Sequence, residues 1–380
     1  MKNKILIFSL AYYPTLVGGA EVAVKEITDR IKESEASFDM VTLRYDRKLP
    51  KFEKIGNVSV YRITTPKIFF PIVAFLKASF LNHKKQYDVI WSIMANRAGF
   101  SALFFKIFHP KTRYILTLQE GDSLGYPKER MGILWPFLKR LFGQIFTRAN
   151  AVTAISSYLA NWSREMGNNK VFLVPNGVDV KRIMNDELGI KVGGGELRKK
   201  FGVGENEKVV ITTSRLVPKN GVDILIKAMT YLPPSVKLLM VGVGELENEL
   251  KILAHGFGLK DRVIFAGFVE PPKIPNYLGA ADVFARPSRT EGQGISFLEA
   301  MAVGIPVVAT PVGGIPDFLE DKKTGLFCES QNAEDLARKI NIFLRDGEVR
   351  KIVIDNARIM ISERYDWNKI SVEMEKVLKA

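Results

Sequence analysis

Two glutamates lie eight residues apart in the segment RTEGQGISFLE (289–299), where Glu291 precedes and Glu299 follows a Gly-x-Gly turn. The apolar residues after the turn predict a helix with Glu299 inside it, where a carboxylate needs a partner. Both carboxylates can accept hydrogen bonds from hydroxyls, Glu291 from a bound sugar and Glu299 from a ribose diol. The structural alternative is that Glu291 caps the helix and Glu299 pairs with a nearby arginine.

The turn between the two glutamates also predicts an anion site. The first N–H groups of a helix have no partners within the helix and carry the positive end of its dipole, so they favour phosphate oxygens. The residues that would bind a phosphate group in this way are Gly292, Gly294, Ile295 and Ser296.

A pair of cations follows the predicted strand Val209–Thr213, in the segment SRLVPKNG (214–221). At the carboxyl end of a strand, Arg215 could grip a diphosphate with its two-pronged guanidinium, and Lys219 could add a mobile point charge. The alternative is that both side chains are simply solvated in a loop.

A second glycine pair, Gly18-Gly19, precedes a predicted helix near the start of the chain. Two glycines at a helix start let the backbone approach a phosphate, although an ordinary loop-to-helix turn explains them equally well. The chain contains no Gly-x4-Gly-Lys-Ser/Thr motif, and Gly18-Gly19 does not match Gly-x-Gly-x-x-Gly. P-loop and dinucleotide sites are therefore not supported.

The elements that must position these residues are short β-branched runs, which alternate with helical patterns in both halves of the chain. This alternation predicts an α/β fold with two doubly wound, Rossmann-like domains that bind ligands beyond the carboxyl ends of their strands. Turn residues after Pro175 predict the boundary, with domains at 1–175 and 176–363. The polar, glycine-rich run Lys191–Glu196 predicts a mobile surface loop.

Composition limits the class of protein and its compartment. The 380 residues suffice for two domains, and the single cysteine, Cys328, excludes an internal disulfide framework and fits a reducing compartment. The apolar run Ile68–Leu76 is too short to span a bilayer. The residues up to Pro175 contain 26 Lys and Arg against 13 Asp and Glu, within a formal net charge of +14. This skew predicts an anionic partner such as a membrane surface, or else an ordinary solvated surface.

Two segments combine basic and aromatic residues, 68–85 and 130–148. Each could lay an apolar face on a membrane with its Lys and Arg side chains at the depth of the lipid phosphates. The alternative is that both are core helices of the first domain.

Further segments, taken in order, extend the pattern over nearly the whole chain and resemble retaining family-4 glycosyltransferases. The most specific resemblance is the Glu-x7-Glu segment with the EAMAVGIPVVAT and GG that follow it. The matching segments are GGAE (18–21), VPNGVD (174–179), SRLVPKNGVDILIKA (214–228), VGVGE (241–245), PSRTEGQGISFLEAMAVGIPVVATPVGGIPD (287–317), TGLF (324–327) and YDW (365–367).

The resemblance implies the glycosyltransferase B fold, in which two Rossmann-like domains face a cleft. Residues 1–175 would form the acceptor-side domain and 176–363 the domain that binds a nucleotide-sugar donor. The C-terminal helix, at about 364–380, would cross back to the first domain.

The resemblance also implies a role for each motif residue. Arg215 and Lys219 would stabilise the departing diphosphate, and Gly18-Gly19 would close on the phosphates. Glu291 would face the donor sugar, and Glu299 would hold the nucleotide ribose. Gly313-Gly314 resembles the glycine pair below the cleft.

Two positions depart from the family pattern. Asn220 stands where the family usually has a lysine, which is here shifted to Lys219. Gln119 stands where many members have a histidine, and Glu120 beside it is a second acceptor-side candidate. An amide cannot accept a proton at neutral pH, so the departing phosphate would have to serve as the base.

The function implied is a retaining hexosyltransferase that moves a sugar from a UDP- or GDP-linked donor to a glycan or lipid-linked acceptor. Cell-surface polysaccharide or glycolipid assembly would be its setting, in the cytoplasm or peripherally on the inner face of the membrane. No metal or other cofactor is expected, because there is no Asp-x-Asp motif and the chain has only 3 histidines. The alternatives are a nucleotide-sugar epimerase and a non-catalytic nucleotide-sugar-binding module, whereas nucleic-acid binding has no recognisable module behind it.

Overall fold

The computed structural model describes residues 2–15, 17–125, 128–129 and 132–380. The chain divides into two compact units. Unit 1 contains the residues up to Asn176 together with Trp367–Ala380, and unit 2 is Gly177–Asp366. The boundary predicted at 175/176 lies one residue from this division.

Unit 1 is built on an eight-stranded sheet in the order β3-β4-β2-β1-β5-β6-β7-β8. Neighbouring strands are parallel except for the antiparallel pair β3–β4. The central strands are continuous apolar runs because helices cover both faces of such a sheet. The strands are β1 Asn3–Phe8, β2 Ala36–Leu43, β3 Phe52–Ile55, β4 Val58–Ile63, β5 Val89–Ile93, β6 Arg113–Leu118, β7 Ala151–Ala154 and β8 Val171–Leu173.

Two helices of unit 1 begin where a polar side chain accepts a hydrogen bond from one of their first N–H groups. Asn96 accepts a 2.8 Å hydrogen bond from the N–H of Ala98, and Ser156 accepts one of 3.4 Å from Leu159. The helices that connect the strands are α1 Gly19–Arg30, α2 Phe70–Lys85, α3 Arg97–Phe108, α4 Trp135–Thr147 and α5 Ser157–Glu165.

Unit 2 has a six-stranded parallel sheet in the order β11-β10-β9-β12-β13-β14. Alternate residues of β9 belong to different core clusters, Val210 to one and Val209 and Ile211 to the other, as the period of two in a strand requires. The strands are β9 Lys208–Thr213, β10 Val236–Val241, β11 Val263–Gly267, β12 Val283–Arg286, β13 Val307–Ala309 and β14 Leu326–Phe327.

Helices cover both faces of the unit 2 sheet, and a final helix follows them. The helices of unit 2 are α6 Val180–Asn185, α7 Glu187–Lys200, α8 Val222–Ala228, α9 Glu247–Gly256, α10 Ile274–Gly279, α11 Ile295–Val303, α12 Ala333–Arg345 and α13 Gly347–Arg364. The final helix is α14 Trp367–Lys379. Within the described residues, none of the helices is both long and apolar enough to cross a lipid bilayer.

Helix α14 belongs to unit 1, although unit 2 separates it from the rest of that unit in the sequence. The guanidinium of Arg113, at the start of β6, donates to the carbonyls of Val377 over 2.7 Å and Leu378 over 3.2 Å. Arg30 at the end of α1 donates to Asn368 over 3.2 Å. The doubly wound α/β architecture and the return of the C-terminal helix are therefore confirmed.

One sequence expectation is wrong. The glycine-rich run Lys191–Glu196 is not a loop but lies inside α7. A Cβ at Gly194 would lie 2.5 Å from the carbonyl of Gly279 in α10, and a Cβ at Gly279 would lie 2.6 Å from the carbonyl of Ile190. Glycine is a poor helix former, but here it allows two helices to pack backbone against backbone.

We expect Gly194→Ala to lower the free energy of unfolding by about 1–3 kcal/mol, because the added methyl overlaps the α10 backbone. Gly195→Ala is the matched control, since a Cβ there would meet no atom within 4 Å. The control should gain about 0.5–1 kcal/mol from its better helix propensity.

Denaturant unfolding followed by circular dichroism measures both effects, because all 4 tryptophans lie in unit 1 and report poorly on α7. Equal stability of the two variants would contradict the close packing of α7 on α10.

Candidate functional site

The carboxyl ends of three neighbouring strands of unit 2 lead into loops that bond to one another through their backbones. The N–H of Arg289 donates to the carbonyl of Lys219 over 2.7 Å, and the N–H of Gly314 donates to the carbonyl of Glu291 over 3.0 Å. The residues predicted in separate motifs are thereby brought together. The loops are named the β9 loop (214–221), the β12 loop (287–294) and the β13 loop (310–314).

Two glycines allow this close approach. Gly221 has a φ of 65° and a Cβ there would lie 1.9 Å from the carbonyl oxygen of Pro287. Gly313 has a φ of 58° and a Cβ there would lie 1.8 Å from the carbonyl oxygen of Glu291. Side chains at either position would push the loops apart, so the glycines in these motifs set the shape of the β12 loop from both sides.

Arg286, the last residue of β12, lies buried beneath the β12 loop. Its Nη2 donates to Oε2 of Glu291 over 2.5 Å and its Nη1 donates to Oγ of Ser296 over 2.7 Å. The guanidinium also lies 4.0 Å from the ring centroid of Phe297. Burial lowers the pKa of Arg286, while Glu291 and Glu299 oppose that shift. Weaker hydrogen bonds go to Ser288 (3.2 Å) and to the carbonyl of Thr213 (3.4 Å).

Sequence analysis did not identify Arg286 as a site residue. The available signal was a charge at the end of a strand whose other residues, Val283–Ala285, are apolar and fully buried. A buried arginine requires acceptors, so an arginine at this position would have indicated a polar partner nearby, but not which one.

Glu291 is the partner of this arginine and is itself largely buried, with 13% of its side chain exposed. Its Oε1 accepts a 3.0 Å hydrogen bond from the N–H of Gly292. Both carboxylate oxygens are therefore held by the protein. The structural alternative of a glutamate paired with an arginine applies to Glu291 and not to Glu299.

Glu299 lies partly buried in α11. Its carboxylate makes no hydrogen bond or ion pair with any residue that the structure describes. Burial raises the pKa of Glu299 to about 7, although the charges of Arg182 and Arg286 oppose this shift. A carboxylate in such a position is suited to a ligand with hydroxyl donors.

The N-terminus of α11 is open in the same layer. Its N-cap residue, Gly294, has a φ of 86° and provides no side-chain cap. The predicted donors Ile295 and Ser296 are the first two residues of the helix, so their N–H groups lack intrahelical acceptors. Gly292 differs, because its N–H already donates to Glu291.

The β9 loop presents the predicted cations. The side chain of Arg215 is exposed, and among the described residues it has no hydrogen-bond or ion-pair partner. Asn220, at the position where lysine was expected, is buried and donates to the carbonyl of Arg215 over 2.7 Å. Asn220 therefore braces the loop, and Lys219 is half-buried beside it.

Four predicted residues lie in unit 1. Gly18 is the N-cap of α1, which begins at Gly19, and its N–H donates to the carboxylate of Glu21 over 2.8 Å. The amide of Gln119 exchanges two 2.9 Å hydrogen bonds with the amide of Asn176.

Glu120 accepts from the N–H groups of Ala95 (2.5 Å) and Gln119 (2.9 Å). Burial raises the pKa of Glu120 to about 7, and these backbone donors oppose the shift. The carboxyl end of the unit 1 sheet thus has its own partly buried acid.

Two family models match the chain, one in each unit. The model "Glycosyltransferase Family 4" matches residues 17–182, and "Glycosyl transferases group 1" matches residues 195–360. The first range lies mostly in unit 1 and extends six residues into unit 2, and the second lies within unit 2.

Similar proteins include enzymes and a solved complex. A GDP-mannose-dependent alpha-(1-6)-phosphatidylinositol monomannoside mannosyltransferase of Mycobacterium tuberculosis is 32% identical over 277 residues, 70% of this chain and 69% of the relative. An N-acetyl-alpha-D-glucosaminyl L-malate synthase of Bacillus anthracis is 28% identical over 99% of this chain and 97% of its own. The structure of Anabaena Alr3699/HepE with UDP-glucose superposes with a TM-score of 0.81 and 25% identity, covering 99% of both chains.

We expect the Arg286–Glu291 pair to couple strongly in a double-mutant cycle. Arg286→Met should lower the free energy of unfolding by about 3–5 kcal/mol, because it leaves a largely buried carboxylate without its cation. Adding Glu291→Gln should restore part of that loss, for a coupling of about 1–3 kcal/mol.

Arg289 and Asp223, 2.8 Å apart and about one-third exposed, form the control cycle. Their coupling should stay below about 1 kcal/mol, as for other solvated pairs. Similar coupling in both cycles would contradict the role of Arg286 as the buried anchor.

Glu299 should make stability fall as pH rises. Its pKa in the folded state, about 7, lies above the ordinary 4.5, so between these values the native state keeps a proton that the unfolded chain has released. Glu299→Gln should therefore be more stable than the parent by about 1–3 kcal/mol above pH 7 and should converge with it below pH 4.5.

Denaturant unfolding across this pH range measures the difference, with the exposed Glu205→Gln as control. A pH-independent difference for Glu299→Gln would show that its carboxyl is not perturbed.

Proposed function

Because this chain belongs to the family-4 glycosyltransferases and has the glycosyltransferase B fold, we propose that it is a retaining hexosyltransferase that uses a UDP- or GDP-linked donor. One observation carries the proposal. In unit 2, an anchored glutamate (Glu291), a glutamate without a hydrogen-bond partner among the described residues (Glu299) and an open helix N-terminus meet at the carboxyl ends of neighbouring strands, where doubly wound sheets bind ligands.

The donor would bind to this layer of unit 2. The N–H groups of Ile295 and Ser296 and the guanidinium of Arg215 would bind the diphosphate, which needs both dipoles and positive charge. Glu299 would accept hydrogen bonds from the ribose diol, which would supply the partner that it lacks. Lys219 would add charge from the β9 loop.

Glu291 would contact a hydroxyl of the donor sugar. Its two oxygens are fixed by Arg286 and Gly292, so its position is set before the donor arrives. A carboxylate held in this way is a weaker nucleophile, because each oxygen already accepts a hydrogen bond from the protein, and the remaining lone pairs can still accept a hydrogen bond from a sugar hydroxyl. This supports a positioning contact and disfavours a double displacement through Glu291.

In the proposed reaction, the bond between the anomeric carbon and the phosphate oxygen of the donor breaks. The acceptor hydroxyl forms its new bond on the same face of that carbon, and its proton passes to the departing phosphate. Catalysis would then be chiefly stabilisation of negative charge on the diphosphate, which Arg215, Lys219 and the α11 N-terminus would supply without a metal.

Relatives support a nucleotide-sugar donor without fixing its base. The mycobacterial relative is described as GDP-mannose-dependent and the Anabaena structure contains UDP-glucose. The phosphatidylinositol mannoside in the mycobacterial name supports a lipid-linked acceptor. We place the enzyme in the cytoplasm, in polysaccharide or glycolipid assembly.

On the acceptor side we propose unit 1. Gly18-Gly19 would approach the donor phosphates, and Glu120 would contact an acceptor hydroxyl. Gln119 already pairs with Asn176, so it would act by holding that neighbour in place.

Calorimetry with UDP, GDP, ADP and their sugars, followed by mass detection of sugar transfer, tests the proposal. Glu299→Ala should weaken nucleotide binding by about 10- to 100-fold, the loss of charged hydrogen bonds to the ribose. Glu291→Ala should retain most of the affinity and lose turnover.

Glu205→Ala, an exposed acid of unit 2, is the control and should change neither quantity. The reverse pattern for the two glutamates would overturn their roles. Nucleotide binding without turnover of any donor would favour the non-catalytic binding module.

A further inference from the structure

Helix α2 has two apolar faces, and only one of them is buried. Phe70, Ala74, Ala78 and Leu81 pack into the core of unit 1. The other face, which we call the α2 face, extends through the turn before the helix. It consists of Ile68, Phe69, Ile72, Leu76 and Phe80, which are between 52% and 70% exposed.

The spacing of the α2 face is that of one continuous surface. Four of its residues recur every fourth position from Ile68 to Phe80, so they follow one side of the helix. Isolated exposed apolar residues are common in soluble proteins, but a contiguous row of large ones marks an interaction surface.

The end of α3 continues this surface. Ile107 is 40% exposed and Phe108 is 68% exposed. The rings of Phe75 in α2 and Phe108 lie 5.1 Å apart between centroids, so the two helices present adjoining apolar side chains.

Charge defines the kind of partner. Neither α2 nor α3 contains an acidic residue. Lys77 lies 5.6 Å and Lys84 lies 4.7 Å from the centroid of the Phe80 ring, and Lys67 precedes Ile68. At a membrane surface, the aliphatic part of a lysine side chain can lie beside an aromatic ring among the lipid headgroups. Its ammonium group then stays at the depth of the lipid phosphates.

We propose that the α2 face, together with the end of α3, docks onto an anionic lipid bilayer. The apolar side chains would enter the boundary between headgroups and acyl chains, and the lysines would contact lipid phosphates. This rests on the proposed function in one respect, since it would bring the enzyme to a lipid-linked acceptor.

A second copy of the chain fits this surface less well. A symmetric contact would set the α2 face of one copy against the same face of another, with lysines facing lysines and no acid from α2 or α3 to neutralise them. An anionic bilayer offers both the apolar layer and the negative charge.

The second basic-aromatic segment, 130–148, contributes less to the argument. Arg130 and Met131 lie outside the described residues. Phe142, Ile145 and Phe146 of α4 are core residues, so the core-helix interpretation holds for them. Ile133 and Phe137 are 89% and 80% exposed, but the proposal does not depend on them.

The test is flotation of the full chain with vesicles of phosphatidylcholine alone or of phosphatidylcholine mixed equally with phosphatidylglycerol. The parent should float with the anionic vesicles only, and salt should weaken the binding. Leu76→Asn/Phe80→Ser should lower the partition coefficient at least about 10-fold, given the apolar surface that each side chain buries. Lys77→Gln/Lys84→Gln should lower it about 5-fold for each charge removed.

Leu188→Asn/Ile252→Asn is the matched control, because these residues of unit 2 are 76% and 72% exposed. This variant should float like the parent. All four substituted apolar positions are at the surface, so circular dichroism and unfolding midpoints should match the parent.

Failure of the parent to float with anionic vesicles, or equal flotation of the α2 variant, would overturn the proposal. Light scattering provides a further check. If the parent is a dimer, and Leu76→Asn/Phe80→Ser (the α2 variant) is a monomer that still binds vesicles like the parent, the surface serves self-association and the proposal is wrong. Calorimetry with UDP and GDP keeps the two hypotheses distinguishable, since nucleotide binding should be unchanged in the α2 variant and should be absent only if the proposed function is wrong.

Discussion

The ion pair between Arg286 and Glu291 is the interaction on which the candidate site depends. Placing an arginine in a protein interior is costly, and the cost is offset only when every donor finds an acceptor. Here the acceptors come from the end of β9, from the β12 loop and from the first turn of α11. A single guanidinium therefore links three segments, in addition to the backbone hydrogen bonds that join their loops.

The two units each place a partly buried glutamate at the carboxyl ends of their strands, but they support it differently. Glu120 is stabilised by backbone N–H groups from two loops, so its environment is complete without a ligand. Glu299 has cations in its surroundings and no hydrogen bond from the described residues. Glu120 is therefore held by the protein before any ligand binds, whereas Glu299 is suited to a hydrogen bond that a ligand donates.

Sequence pattern predicted the architecture and selected most residues of the candidate site, because strand–helix alternation and motif spacing are local properties. The glutamate pair and the glycines at 313 and 221 were visible in this way. The role of Arg286 was not, because it depends on which loops meet beyond β12. The helical glycines of α7 were also missed, since their composition resembles a loop and only the neighbouring α10 explains them. In α2 the core interpretation holds for the buried face, whereas the membrane interpretation stays a prediction for the exposed face.

The position of α14 has a consequence for synthesis of the chain. Unit 2 is one continuous stretch, Gly177–Asp366, so all of it has left the ribosome before Trp367 emerges. The bonds that Arg113 makes to the carbonyls of Val377 and Leu378 can form only after that. Domains generally fold as units in the order of synthesis. Here the unit that begins first is the last to be completed: all eight strands of its sheet are synthesised before unit 2, but the sheet lacks α14 until unit 2 has been made.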